Sequence, residues 1–275
     1  MLSKIYHLAV FSAIAFAGQD IGLASAENAI PPVATDPHFQ LAPGYLKQTE
    51  LPDSLKLLGA PPAEGSGALA RDEDARTATL PLRGKPRWDL ARLDADLEFP
   101  QPAKNFSCAM GVDINEKTMP HLYRLMQKTL TDAGLSTYGV KNTYNRTRPF
   151  VVHNEGTCYP VQEPVLRTDG SYPSGHTAAG WAWALVLSEV DPEKTDALLK
   201  RGLEFGQSRV ICDAHWQSDV DAGRIMGAAT VAKLHGNAEF LTDVEAARKE
   251  VRAAKANDSS SKLSCAAENA AFLAP

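Results

Sequence analysis

The chain has 275 residues, 44% of them hydrophobic, and a formal net charge of -5 at pH 7. This length suits one large domain, or one domain with extensions, and the composition is that of a globular protein. The net negative charge argues against nucleic acid as the main partner, because proteins that bind it present an excess of positive charge.

The N-terminus has the pattern of a secretory signal peptide, which we predict over residues 1–26. Lys4 supplies a positive charge, an apolar stretch runs from about Leu8 to Gly18, and Ala24-Ser25-Ala26 is a small-residue cleavage site. A membrane anchor is the alternative, but the apolar run is too short to span a bilayer. We therefore expect a periplasmic protein without membrane contact after the signal peptide is removed.

The rest of the chain divides by composition into three parts. Residues 27–66 are rich in Pro, Ala and Gly without a sustained period, so we expect an extended N-terminal arm. Residues 67–250 carry helical patterns and are predicted to form the folded domain. Residues 251–275 are predicted to be a polar C-terminal tail.

Helical periodicity runs through the predicted domain, and strand-like alternation is scarce, so the sequence predicts an all-α fold. Thr118 to Gly134 has the spacing and the end signals of one helix. Thr177 to Leu187 is almost wholly apolar, which is typical of a buried helix. Asp191-Pro192 marks the start of another helix. A last strong helix is predicted from about Asp219 to Leu234, with small residues that permit a close approach to a neighbour.

Four cysteines, an even number, are typical of disulfides in an exported protein. Three pairings are formally allowed, and we favour Cys108–Cys158 with Cys212–Cys265. Buried free thiols are the alternative. There is no CxxC spacing, so a zinc site is not expected.

A first basic cluster consists of Lys141 and the pair Arg148-Pro149. On a continuous helix, residues seven apart lie on one side, and Pro149 would end that helix just after Arg148. Both cations would then reach one space, where a guanidinium fork and an ammonium suit a phosphate. Arg146 lies off that face and is expected to be exposed. Taken alone, this spacing is also typical of a solvated helix face.

A second cluster, Ser174-Gly175-His176, lies directly before the buried helix. A helix N-terminus presents free N–H groups and partial positive charge, which favours an anion. Gly175 permits a close approach of the backbone, Ser174 can donate a hydrogen bond, and His176 can donate a proton. Taken alone, the cluster is equally compatible with a plain helix cap beside a surface histidine.

A third cluster joins Ser208-Arg209 to His215 and Asp219. The i, i+4 spacing of His215 and Asp219 predicts that the two side chains meet, and a carboxylate on one ring nitrogen orients the other. This arrangement is typical of an activated histidine nucleophile or base. An ordinary His–Asp surface pair is the alternative. Because all three clusters fall at helix ends of the same core, we interpret them as one oxyanion site.

These three clusters together match the signature of the phosphatidic acid phosphatase type 2 / vanadium haloperoxidase superfamily. The longer strings Gly170-Ser171-Tyr172-Pro173-Ser174-Gly175-His176-Thr177 and Gly206-Gln207-Ser208-Arg209-Val210-Ile211-Cys212 resemble the bacterial class A non-specific acid phosphatases. The resemblance covers roughly residues 60–245. It implies an all-helical bundle of the acid phosphatase / vanadium haloperoxidase type and a periplasmic phosphomonoesterase of broad specificity.

The resemblance also implies a role for each residue of the signature. His215 would attack phosphorus, Asp219 would orient it, and His176 would protonate the leaving alcohol and then activate water. The phosphate oxygens would be held by Lys141, Arg148, Ser174, Gly175 and Arg209. This set supplies positive charge without a metal, and no carboxylate cluster suggests one, so we expect neither metal nor cofactor.

Several alternatives stay open at this point. A vanadate-dependent haloperoxidase would use the same pocket, and a phosphotransferase or a lipid or pyrophosphate phosphatase would belong to the same superfamily. A non-catalytic phosphate-binding protein would need neither histidine. The expected partners are phosphate monoesters, and small-residue helix faces are compatible with a homodimer. The physiological substrate and the preference for water over an alcohol as acceptor are not readable from the pattern.

Overall fold

The structure, a computed structural model, describes residues 41–257 and 265–273. These residues form α-helices and short 3-10 turns with no β-strand among them, which confirms the all-α prediction. The predicted signal peptide and residues 27–40 of the predicted arm lie outside the described residues. The helices are α1 (Ser54–Leu57), α2 (Gly67–Thr79), α3 (Pro86–Ala95), α4 (Gln101–Met110), α5 (Pro120–Leu135), α6 (Tyr138–Tyr144), α7 (Pro149–Val152), α8 (Glu163–Leu166), α9 (Gly175–Val190), α10 (Thr195–Ile211), α11 (Gln217–Leu234), α12 (Ala238–Ala256) and α13 (Ala266–Leu273).

The apolar helix α9 lies at the centre of the bundle and packs against α5, α10, α11 and α12. Its contact with α11 is close because α11 carries Gly223 and Gly227. A Cβ at Gly223 would lie 2.6 Å from the carbonyl oxygen of Ser174, and one at Gly227 would lie 2.5 Å from that of Ala178. No larger residue fits at either position without a shift of the backbone. These glycines therefore bring the N-terminal ends of α9 and α11 together.

Two helix starts differ from the sequence prediction by one or two residues. Helix α5 begins at Pro120 with Met119 at the N-cap, and no side chain caps it, so Thr118 is not the cap. Pro120 takes the first helical position, where its missing N–H costs nothing. Helix α11 begins at Gln217, two residues before Asp219. Asp219 therefore lies in the first turn of α11, where its carboxylate can accept from free backbone N–H groups.

The described part of the N-terminal arm is irregular apart from a 3-10 turn (Gln48–Glu50) and α1, and it packs on the bundle. Tyr45 is buried there, and its hydroxyl donates to Asp243 at 2.8 Å while its backbone N–H donates to Asp132 at 2.8 Å.

In the C-terminal part of the chain, α12 continues through residue 250, where the sequence suggested the start of a tail. Val251 is buried and α13 packs against α3.

The four cysteines form two disulfides, Cys108–Cys265 and Cys158–Cys212, so the favoured pairing was wrong. Cys158 follows α7 and lies beside the end of α10, where its N–H donates to the carbonyl of Cys212 at 3.2 Å. Cys265 precedes α13, and its bond to α4 ties the end of the chain to the bundle. Of the helices in the described ranges, none has the length and apolarity needed to cross a bilayer.

Candidate active site

The start of α9 is capped by the side chain of Ser174. Its hydroxyl accepts from the N–H of Thr177 at 3.2 Å and from the Thr177 hydroxyl at 3.0 Å. The N–H of Ser174 donates to the carbonyl of Asp219 at 2.9 Å, which joins the starts of α9 and α11. Gly175 lines a cavity, and a Cβ added there would meet only Thr137 Oγ1 at 3.6 Å. The protein itself leaves space in front of Gly175 for a bound group.

His215 lies in the turn before α11 and contacts Asp219, which is in the first turn of that helix. The two therefore meet through the capping turn and not, as predicted, along one helix face. Asp219 Oδ2 accepts from the N–H of Trp216 at 2.8 Å and lies 3.4 Å from His215 Nδ1. Both side chains are almost fully buried. The contact is built into the cap, so the helix start itself fixes the carboxylate beside the ring.

The hydrogen bonds of His215 define which ring nitrogen is available for chemistry. Arg148 Nη1 lies 2.8 Å from His215 Nε2, and because a guanidinium can only donate, Nε2 accepts. A neutral ring then carries its hydrogen on Nδ1, towards Asp219. Burial, followed by the charges of Arg148 and Lys141, holds the pKa of His215 well below its ordinary value of 6.5. The ring is therefore neutral at mildly acidic pH, with its lone pair on Nε2.

Lys141 and Arg148 are both buried, but they do not share a helix. Asn145 adopts the left-handed conformation, with φ of 40°, and ends α6 after Tyr144. Arg148 is instead the N-cap residue of α7, and Pro149 begins that helix where the prediction had it ending one. The two cations nevertheless converge on one carboxylate. Asp169 Oδ2 lies 3.2 Å from Lys141 Nζ and 2.8 Å from Arg148 Nη2.

Arg209, in the last turn of α10, has side-chain N–H groups that make no hydrogen bond within the described ranges. Its side chain is buried, and its Nε and Nη1 groups have no hydrogen-bond partner among the described residues. Burial, and secondarily the charge of Arg148, lowers the pKa of Arg209 to about 9. Buried donors are nearly always paired in native proteins, and an unpaired charged donor is costly. The Nε and Nη1 groups of Arg209 are therefore available to bind an anionic ligand.

His176 lies one residue inside α9 and lines the cavity together with His215. One ring nitrogen, Nε2, lies 3.0 Å from the carbonyl of Ala95 at the end of α3, so it donates there. Burial, and then the charge of Arg209, holds the pKa of His176 well below 6.5. At neutral pH the ring is therefore uncharged, although its expected role as an acid requires a proton. A bound anion that offsets Arg209 would raise this pKa.

Arg146 was expected to be exposed, and this was wrong. Its side chain is 8% exposed and lies between two buried carboxylates. Nη1 donates to Asp219 Oδ1 at 2.6 Å, and Nη2 donates to Asp72 Oδ2 at 2.7 Å. Asp72, on α2, also accepts from the N–H of Ser218 at 2.8 Å. The guanidinium therefore connects α2 to the carboxylate that faces His215.

The cavity in front of the histidines has a volume of about 180 Å³ and is lined by Lys141, Arg148, Gly175, His176 and His215. Ser174, Arg209 and Asp219 are buried and are not among the residues that line it. Within residues 41–257 and 265–273, no group of three or more His, Cys, Asp or Glu side chains is arranged to hold a metal ion. The arrangement can bind an oxyanion between buried cations and a helix N-terminus, with two neutral imidazoles alongside.

Four polar residues near the site were not among the predicted ones: Asp72, Arg146, Asp169 and Ser171. Asp169 and Ser171 lie just before the Ser174 cluster, and the Ser171 hydroxyl donates to Asp219 Oδ2. Their proximity in sequence was a usable signal. Asp72 lies 74 residues before Arg146 in a helix with no distinguishing motif, so only the fold reveals it.

Comparison with known proteins places these features in a family. The PAP2 superfamily matches residues 126–239, a range that contains all eight predicted site residues. The chain is 45% identical over 247 residues to a non-specific acid phosphatase of Providencia stuartii, covering 88% of this chain and 96% of that protein. It is 42% identical over 203 residues to an acid phosphatase of Zymomonas mobilis, covering 74% and 77%. It is also 45% identical over 208 residues to a non-specific acid phosphatase of Salmonella typhimurium, covering 75% and 81%.

Proposed function

The chain belongs to the acid phosphatases of the PAP2 superfamily, which makes it a phosphoric monoester hydrolase, and we propose that it works through a phosphohistidine at His215. The observation that carries this proposal is the pair of unpartnered, buried donors on Arg209. Burial is the main cause that lowers the pKa of each histidine, and the charge of Arg209 adds to it at both rings, so Arg209 lies near the two. A phosphate bound between the two histidines and the end of α10 would supply acceptors for these donors.

In the first step, the lone pair on Nε2 of His215 attacks phosphorus. A P–N bond forms while the P–O bond to the leaving alcohol breaks, and His176 gives its proton to that oxygen. In the structure, Arg148 Nη1 lies 2.8 Å from Nε2. When substrate binds, this N–H donates to a phosphate oxygen instead, which leaves the Nε2 lone pair available for attack. Asp219 keeps the Nδ1 hydrogen in place and stabilises the positive ring that results.

In the second step, water replaces the histidine. His176, now neutral, takes a proton from a water molecule whose oxygen attacks phosphorus, and the P–N bond breaks to release phosphate and neutral His215. Throughout, Lys141, Arg148 and Arg209, with the N–H groups at the start of α9, hold the equatorial oxygens, where charge is greatest. Removing one such donor typically costs about 100- to 1,000-fold in kcat.

The reaction as proposed requires no metal ion, since three cations and a helix terminus provide the electrostatic stabilisation. Burial, and then the charge of Arg209, lowers the pKa of His176 in the free enzyme. The phosphate anion offsets that charge, so the ring takes up a proton from solvent when substrate binds. Activity on the acid side of neutrality follows, because the protonated acid is scarce above its pKa.

We also propose that the protein acts in the periplasm. Support comes from the signal-peptide pattern of residues 1–26 and from the two disulfides, which persist in an oxidising compartment. Fractionation of cells that express the full chain tests this. The enzyme should be released with the periplasmic contents, shortened at its N-terminus, and recovery of full-length protein in the cytoplasm would contradict it.

The mechanism is tested with p-nitrophenyl phosphate in the presence of EDTA. Turnover should continue, and His215→Asn should remove nearly all of it. His235→Asn is the matched control, because His235 is a half-exposed histidine just after the C-terminal end of α11, where it pairs with Glu189. Loss of turnover on adding EDTA, or retained turnover in His215→Asn, would show that the mechanism is wrong.

A further inference from the structure

The cavity beside His176 and His215 has two chemically different sides. Its buried end holds Lys141 and Arg148. Most of the rest of its wall comes from α5, α6, α8 and the segments that follow α3 and precede α8. The apolar residues of that wall include Leu97, Leu130, Leu135, Tyr138, Val161 and Val165.

Several of these apolar side chains are not used to fill the core. Val161 is 69% exposed, and Leu135, Tyr138 and Val165 are partly exposed. Single exposed apolar residues are ordinary, but a set of them on the wall of one cavity marks a surface for an apolar ligand group. This surface is continuous with the site of the two histidines.

The charges on the same wall favour a group without negative charge. Asp96 and Glu98 line it, and Asp169 lines the cavity as well and contacts both cations. Among the described residues that line the cavity, Lys141 and Arg148 are the only lysine or arginine side chains. A second phosphate or a carboxylate on the substrate would therefore meet acidic and apolar groups without a cation to bind it.

We propose that this wall is a leaving-group subsite that takes the uncharged alkyl or aryl portion of a phosphate monoester. The inference rests on the proposed function, since it takes the phosphoryl group to lie between the cations and Nε2 of His215. The leaving oxygen is then on the side of His176, and the carbon chain beyond that oxygen extends along the apolar wall. Broad hydrolysis is retained, but esters are ranked by how much apolar surface they bury.

The test compares hexyl phosphate with glycerol 1-phosphate, both esters of primary alcohols, so the bond that breaks is of the same kind. Each methylene buried in the transition state should raise kcat/KM by about fourfold. Three buried methylenes are sufficient for a preference of well over 10-fold for the hexyl ester. Hexylphosphonate, which cannot be hydrolysed, should likewise inhibit more strongly than methylphosphonate by about 10-fold or more.

Two variants tie the preference to the wall. Leu135→Asn should lower kcat/KM for hexyl phosphate by about 10-fold and leave that for glycerol 1-phosphate within about twofold. Val161→Asn, at a well-exposed position where folding is least at risk, should act in the same direction. Leu241→Asn is the control, because Leu241 is an exposed leucine of α12 outside this cavity. It should change neither substrate.

The outcomes separate the subsite from the reaction. Equal kcat/KM for the two esters, or an unchanged ratio in both wall variants, would overturn the subsite while the phosphatase mechanism stands. If the wild-type enzyme hydrolysed neither ester nor p-nitrophenyl phosphate, the proposed function itself would fall. A preference that is abolished by Leu241→Asn as well would also reject the wall, since the effect would then not be local.

Discussion

Replacing Arg146 by methionine should reduce both stability and turnover. In the wild-type protein the guanidinium of Arg146 lies over the ring of Trp216. A methionine keeps an apolar side chain beside that ring and removes the charge. Asp219 loses the donor at 2.6 Å and Asp72 loses the donor at 2.7 Å. Both carboxylates are buried, and removing one partner of a buried ion pair typically costs 3–5 kcal/mol, so we expect a loss of about 3 kcal/mol or more.

The loss of turnover should arise because Asp219 is no longer held against His215. In metal sites, removing a group that orients a functional histidine costs about 10- to 100-fold, and we expect a decrease of that order in kcat for Arg146→Met. KM should change little, because Arg146 bonds to Asp219, Asp72 and Ser218 and to none of the predicted phosphate-binding residues. Arg146→Lys should recover part of the rate, since an ammonium can pair with one carboxylate but cannot bridge both as the guanidinium fork does.

The assay combines urea denaturation with steady-state kinetics, and Arg124→Met is the matched control. Arg124 pairs with the buried Asp243 between α5 and α12, outside the cavity. The control should lose stability and keep its kcat. If Arg146→Met also kept its kcat while losing stability, Arg146 would be merely structural and the positioning argument would be refuted.

Three further outcomes are expected. His176→Ala should slow the hydrolysis of alkyl phosphates by about 100- to 10,000-fold. It should slow that of p-nitrophenyl phosphate much less, because p-nitrophenolate leaves without a proton. Equal losses of rate for the two substrates would contradict this. The pKa of His176 lies well below 6.5 in the free enzyme, so kcat/KM should fall as the pH rises above 6.5, where the acid is deprotonated. A pH–rate profile with a plateau above neutral pH would refute this expectation. Asp169→Asn should lower the inhibition constant for inorganic phosphate, because the substitution removes the carboxylate that pairs with Lys141 and Arg148. A higher inhibition constant would show the reasoning to be wrong.

Features that depend on local pattern were predictable from the sequence. The buried helix α9 and the close contact of α11 follow from their apolar and small residues, and the structure has both. Members of all three clusters, namely Lys141, Arg148, Gly175, His176 and His215, line one cavity. Their roles in catalysis stay predictions, which the experiments above test.

Features that depend on contacts between distant parts of the chain were not predictable. The spacing of Lys141 and Arg148 suggested one helix, but the left-handed turn at Asn145 separates them. The partners of Arg146 lie far along the chain, Asp219 73 residues and Asp72 74 residues away, so its local position suggested exposure. Likewise, Cys108 pairs with a cysteine 157 residues later, and no local pattern selects among the three allowed pairings.

The most direct test of the central claim is to trap the phosphoryl group on the enzyme. The protein is mixed rapidly with p-nitrophenyl phosphate and quenched in base, where a phosphohistidine survives, and the adduct is located by peptide mass spectrometry. We expect one phosphoryl group on His215, more of it in His176→Ala because the second step lacks its base, and none in His215→Asn. Turnover without any adduct, or an adduct that persists in His215→Asn, would contradict the phosphohistidine mechanism.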